Sequence, residues 1–133
     1  MRTFLATLVG LIAAFMVMMA VELIGHKLYP LPFEMNAENA GEIEKSIPLI
    51  PLSAYVSVIV AHGLGLLVGL LVSMIIDRET PYPVYLIGTF LFIGTIVNLF
   101  SFPHPTWFAI TDVVVMLAIG VPLLFKAQKR TQN

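Results

Sequence analysis

Glu22 and His26 stand four residues apart, so a helix carrying both presents them on one face, close enough to share an ion or pass a proton. A carboxylate beside an imidazole suits zinc or another borderline divalent cation. His62, Asn98, His104 and Asp112 are the other polar residues that interrupt or border apolar stretches. With them, Glu22 and His26 form a candidate ligand-binding cluster, and Glu22, His26 and Asp112 form the smallest candidate metal set. No residue reads as catalytic: no Gly-x-Ser-x-Gly elbow and no His-Glu-x-x-His pair occurs. The absence of cysteine removes thiolate catalysis, zinc fingers and Cys-ligated iron–sulfur clusters, and no nucleotide-binding signature is present.

The surroundings make these residues expensive. The chain has 133 residues, 59% of them hydrophobic and 11% charged, where soluble domains carry about 45–50% and roughly 25%. That excludes a soluble globular enzyme. A formal net charge of -1 supplies no basic field for a phosphate backbone, which excludes nucleic acid as a partner. An Asp, Lys or Arg in hydrocarbon costs at least about 2.5–3.5 kcal/mol, so an ionisable group there marks a site unless packing explains it.

The elements that position these residues follow from the uncharged runs. A first run begins at Thr3 and is broken only by Glu22, and a second occupies Ser46 to Ile76, where Pro48 and Pro51 punctuate the start. From Thr80 to Phe125 the only formal charge is Asp112. As one helix, that stretch would measure roughly 69 Å, more than twice the bilayer's hydrocarbon core. It must turn at Ser101-Phe102-Pro103-His104-Pro105, where two prolines remove donors and disfavour helical geometry. The expectation is an all-α, integral-membrane four-helix bundle with up-down topology. Its single domain has helices at about 4–27, 51–76, 83–101 and 105–126 and an outer loop at about 28–50.

Lys and Arg counts give the orientation. Arg2, Arg78, Lys126, Lys129 and Arg130 fall on one side and only Lys27 and Lys45 on the other, so both termini are expected in the cytoplasm. The first apolar stretch is longer than a signal-peptide core and Met18-Met19-Ala20 is a poor cleavage site, so the first helix is expected to be retained. The loop is acidic, with Glu34, Glu38, Glu42 and Glu44 against Lys45. Asn36 is placed to cap a short amphipathic helix with Ala40, Ile43 and Ile47 on one face.

Packing in lipid relies on small residues that let backbones approach. Ser53, Ser57, Ala61, Gly65, Gly69 and Ser73 recur every fourth residue on the second helix, and Ala6, Gly10 and Ala14 answer on the first. Continuing that first stripe leads through Met18 to Glu22 and His26. Tyr29, Tyr55 and Trp107 read as anchors at the outer boundary, and Tyr82 and Tyr85 as anchors at the inner one. By depth, every member of the polar cluster except His62 belongs to the outer half, so the six could line a cavity opening outward.

Two phrases, Glu22-Leu23-Ile24-Gly25-His26-Lys27-Leu28-Tyr29-Pro30 and Pro103-His104-Pro105-Thr106-Trp107-Phe108, accompany the glycine-rich second helix. Together they resemble an uncharacterised family of small bacterial four-helix inner-membrane proteins. The resemblance implies a bacterial inner-membrane location and brings no activity, ligand or partner. Three functional readings follow from the residues themselves. One is a non-enzymatic multi-pass protein whose cluster binds an ion or small solute or handles protons. Another is a structural or accessory subunit whose ladder and loop engage a second copy or another membrane protein. The third is a metal-dependent membrane enzyme. Beside all three stands a purely structural cluster that hydrogen-bonds the helices together.

Overall fold

The computed structural model describes residues 1–30, 45 and 47–130. They form four long α-helices: α1 (Arg2–Leu28), α2 (Leu52–Ile76), α3 (Tyr82–Ser101) and α4 (Thr106–Arg130), with a 3-10 turn at Ile47–Leu49 ahead of α2. All four are long and apolar enough to cross a membrane, as in a multi-pass membrane protein. The shortest, α3, has 20 residues and so reaches about 30 Å, the thickness of a hydrocarbon core. The amphipathic helix expected from Asn36 and the acidic run from Glu34 to Glu44 lie outside the described residues.

Apart from Pro122, which lies inside α4, proline punctuates the helices as the backbone chemistry requires. Pro51 immediately precedes α2 and Pro83 sits in the first turn of α3, where a missing N–H costs nothing. Two helices run further than the apolar pattern. α4 continues to Arg130, four residues beyond the expected end, because Lys129 and Arg130 in its last turn favour the negative end of the helix dipole. α1 starts at Arg2, whose Nε donates to the Ile76 carbonyl at 3.1 Å and whose guanidinium pairs with Glu79 at 2.6 Å.

The helices alternate in direction, so both chain ends meet at the end of the bundle that holds the α2–α3 turn. Helix α2 packs against the other three, α3 touches both α1 and α4, and α1 and α4 do not meet. The bundle is therefore a diamond with α2 and α3 on its short diagonal. Most of the core, including Leu66, Leu70, Met74, Ile87 and Met116, lies toward the chain ends. A second, smaller cluster of Tyr55, Ile59 and Phe108 lies toward the other end. The outward faces carry exposed Phe4, Ile12, Phe90, Ile93 and Val114, a surface suited to acyl chains rather than water.

Small residues set the spacing of α1 and α2. A Cβ built on Gly10 would lie 2.8 Å from the Gly69 carbonyl oxygen, and one on Gly69 would lie 2.9 Å from that of Gly10. The seam continues through Gly65, against Met18 and the Ala14 carbonyl, to Gly25, where an added Cβ would lie 2.7 Å from Ser57 Cβ. Ala61 and Ser73 are fully buried, and the Ser73 hydroxyl donates to the Leu70 carbonyl.

The start of α1 is tied down by Asp77, the residue at the C-terminal end of α2. Its Oδ1 accepts the Glu79 and Thr80 backbone N–H groups at 3.0 and 3.1 Å, and its Oδ2 accepts the Thr80 and Thr3 hydroxyls, each at 2.8 Å. One side chain thereby holds the α2–α3 turn and pins the start of α1 to it. Burial pushes this carboxyl up, but the hydrogen bonds from Thr3, Thr80 and the two backbone groups outweigh that and hold it below the usual carboxylate range.

Candidate functional site

At the end of the bundle away from the chain ends, the missing contact between α1 and α4 leaves a gap. The gap is a cavity of about 290 Å³, walled by α1, by the first three turns of α2 and by the segment from the last turn of α3 into α4. Helix α1 contributes Glu22, Gly25 and His26, with Tyr29 just past its end, α2 contributes Ala54, Tyr55, Ser57, Val58 and His62, and α3 contributes Asn98. The turn and α4 close it with Phe102, Pro103, His104 and Phe108. The volume is at the small end of ligand pockets, and the lining mixes apolar walls with a few convergent polar groups, as such pockets do.

Of the six residues grouped by sequence, Glu22, His26, His62, Asn98 and His104 all line this cavity. Asp112 does not. It is fully buried behind His62, whose Nδ1 lies 2.8 Å from Asp112 Oδ2 and 3.1 Å from Oδ1. The placement follows from the helix positions: His62 and Asp112 face each other across the α2–α4 contact, whereas Glu22 and His26 sit on the helix that α4 does not touch. The candidate metal set of Glu22, His26 and Asp112 is therefore split. Among the described residues no three His, Asp or Glu side chains gather as a metal ion would require.

What the dyad can do follows from its hydrogen bond. With Asp112 as a carboxylate, which only accepts, Nδ1 carries the hydrogen and donates it to Asp112. That leaves Nε2 as the nitrogen of His62 available to a cavity occupant. His104 is arranged in the same way. Its Nδ1 donates to the Phe102 carbonyl at 2.7 Å, and a carbonyl too can only accept. The His104 ring also stacks on Phe108, with centroids 4.9 Å apart and planes 17° apart. Two imidazoles on one cavity thus have their Nδ1 atoms tied back to protein acceptors.

Tyr55, too, lies elsewhere than its sequence context suggests. Expected as an anchor at the outer boundary, it is buried, packed edge-on to Trp107 at 5.5 Å and tilted on Phe108 at 5.1 Å. Its position near a helix start gave the depth correctly, but α2 is the central helix and this face of it points into the bundle. Its hydroxyl is buried with no hydrogen-bond partner among the described residues. The contrast with the smaller hydroxyls is clear: Ser57, Ser101 and Thr111 each donate to the carbonyl four residues earlier. Tyrosine is too long to reach its own backbone in this way, so a partner must come from elsewhere. A buried unpaired hydroxyl costs about 1–3 kcal/mol.

A second depression lies on the outward side of the α1–α2 crossing. It is an open groove of about 670 Å³ lined by Val21, Ile24, Leu28, Leu52, Val56 and Val60 together with Gly25, Tyr29, Ser53 and Ser57. Gly25, Tyr29 and Ser57 line both spaces, so the groove and the cavity share one thin wall where the two backbones meet.

No family model, curated protein or solved structure matches this chain.

Proposed function

We propose that this is a multi-pass protein of the bacterial inner membrane, with both termini in the cytoplasm, that binds a small solute in an outward-facing cavity and offers it a hydrogen-bond and proton acceptor at His62. The orientation rests on basic residues: Arg2, Arg78, Lys126, Lys129 and Arg130 belong to the end with the chain termini, against Lys27 and Lys45 at the other. The likeness of the Glu-x-x-Gly-His-x-x-Tyr-Pro and Pro-His-Pro-x-Trp phrases to small bacterial inner-membrane proteins supports the location.

The observation that carries the reading is the His62–Asp112 pair. A buried carboxyl group that turns both oxygens to one imidazole nitrogen orients the ring, and His62 is also part of the cavity wall. A pair serving only to join α2 to α4 would have no need of a ring bordering open space. The residues of the dyad bind and orient an occupant, and nothing in their arrangement supplies a nucleophile.

The test is a thermal-shift screen of purified protein in lipid nanodiscs against a panel of small polar and aromatic solutes. Solutes that stabilise the wild-type protein, and fail to stabilise both His62→Leu and a cavity-filling Ala54→Phe variant, support the reading. If no solute discriminates the wild-type protein from these variants, the cluster is structural and the proposal fails.

A further inference from the structure

The polar groups that line the cavity are short of hydrogens to give. His62 and His104 each spend the Nδ1 hydrogen on a protein acceptor, so in the neutral ring Nε2 can only accept. The Ser57 hydroxyl gives its hydrogen to the Ser53 carbonyl at 2.9 Å and keeps only its lone pairs. Glu22, as a carboxylate, only accepts, and it has no ion pair among the described residues. His26, Tyr29 and Asn98 can give or take a hydrogen bond, and no lining residue is a donor alone.

The charges run the same way. The lining holds Glu22 and no Lys or Arg, and Asp112 stands directly behind His62. The stretch of sequence from 22 to 50, which leaves and re-enters the bundle at the cavity end, carries Glu22, Glu34, Glu38, Glu42 and Glu44 against Lys27 and Lys45. Such a balance favours the approach of cations over anions.

Resting on the reading of the cavity as a solute site, we propose that its ligand is a small organic cation with N–H donors, a protonated amine on a compact apolar body. The ammonium hydrogens go to acceptors among Glu22, Ser57, His62 and His104, and the body lies against Ile47, Ile50, Ala54 and Val58. The cavity, about 290 Å³, is roughly twice the size of an apolar cavity that takes benzene, so a single ring or a short branched chain fits it. An anion would set its charge beside Glu22 and find no cation to pair with. A neutral carbonyl compound would bring no hydrogen for any of the four acceptors.

The test holds the body constant and changes the polar group. Protein in nanodiscs of zwitterionic phosphatidylcholine is titrated by calorimetry with benzylammonium, benzyltrimethylammonium, benzyl alcohol and benzoate, with empty nanodiscs as the background for each. Saturable binding of benzylammonium is expected, about tenfold or more tighter than that of the other three. It should weaken about tenfold or more in Glu22→Gln and in His62→Leu. It should be unchanged in Glu79→Gln, which removes an exposed carboxylate at the opposite end of the bundle. Glu22 is itself exposed, so Glu22→Gln tests the site without disturbing the core. Folding of each variant is checked by circular dichroism and by its elution profile.

Benzyl alcohol or benzoate binding more tightly than benzylammonium, with that binding lost in His62→Leu, overturns the cation assignment and leaves the solute site standing. Equal binding of the two cations overturns the role given to the N–H donors. Benzylammonium binding that is the same in Glu22→Gln and wild type, or no saturable binding by any probe, overturns the proposal outright, and the wider solute screen then judges the cavity separately.

Discussion

His62 and Asp112 come from helices α2 and α4, 50 residues apart in sequence, and meet with Nδ1 at 2.8 Å from Oδ2 and 3.1 Å from Oδ1. Asp112 is fully buried, so its lone pairs have no water to fall back on. Replacing either residue alone strands the other, while replacing both with apolar residues of similar shape leaves nothing unsatisfied. Asp112→Leu and His62→Leu should each lower stability by about 1–3 kcal/mol, and the double variant should recover much of the loss. Reversible unfolding in mixed micelles measures this, and simple additivity of the two losses would show that the pair is not coupled.

Gly10 and Gly69 make opposite predictions from Gly94. At the first two an added Cβ meets the facing helix's carbonyl oxygen at 2.8 or 2.9 Å, and backbone cannot step aside as a side chain can. Gly10→Ala and Gly69→Ala should therefore push α1 from α2 and cost about 1–3 kcal/mol, in the range of overpacked cores. At Gly94 the added Cβ meets nothing within 4 Å. Gly94→Ala should stabilise α3 by roughly 0.5–1 kcal/mol through reduced backbone freedom in the unfolded chain. Thermal unfolding of the three variants side by side decides it, and an equal effect at all three would refute the packing account.

Acid should release the clamp at the chain ends. Asp77 is held below the usual carboxylate range by its hydrogen bonds when folded. A depressed folded value means that its contribution is present in full above about pH 4, the ordinary unfolded value, and is lost as the pH falls through the folded value. Asp77→Asn should be less stable than wild type near neutrality and should lose less of its stability on acidification. Unfolding temperatures recorded from about pH 7 downward test this, and parallel curves for the two proteins would contradict it.

Tyr55→Phe separates binding from folding. Removing a hydroxyl that has no partner among the described residues should leave the ligand-free protein as stable as wild type or up to about 1 kcal/mol more stable. If the hydroxyl serves a ligand, the same variant binds less well. A variant that gains stability and loses affinity marks a functional group, and a variant that loses stability would place Tyr55 in the structural core only.

What the sequence revealed and what it hid have one physical origin. Charge-free length and proline placement report how far along the bilayer normal a residue lies, and the helix boundaries at Leu52, Ile76 and Ser101 fall within a residue of their expected places. Spacing of four reports which residues share a face, so Glu22 and His26 fall on one wall. Neither signal reports which neighbour that face meets. Depth alone groups Asp112 with Glu22 and His26, yet α1 and α4 do not touch and its partner is His62. Depth makes Tyr55 an anchor at the outer boundary, yet its azimuth on the central helix turns it inward. An excess of small residues on the second helix was the available sign that it is central, because a helix met on several sides needs close approaches on several sides.

The seam between α1 and α2 also sets an order of assembly. Gly25 and Ser57 are the nearest in sequence of its contacts, whereas Thr3 and Asp77, at the far end, are separated by 74 residues. Closing the first contact forms the shorter loop, and each turn formed after it brings the next pair of small residues together at little further entropic cost. The helical hairpin should therefore zip from the cavity end toward the chain ends. Asp77 can accept the Thr3 hydroxyl only once that zipping is complete and the following turn has formed, which makes this hydrogen bond a latch on the finished hairpin.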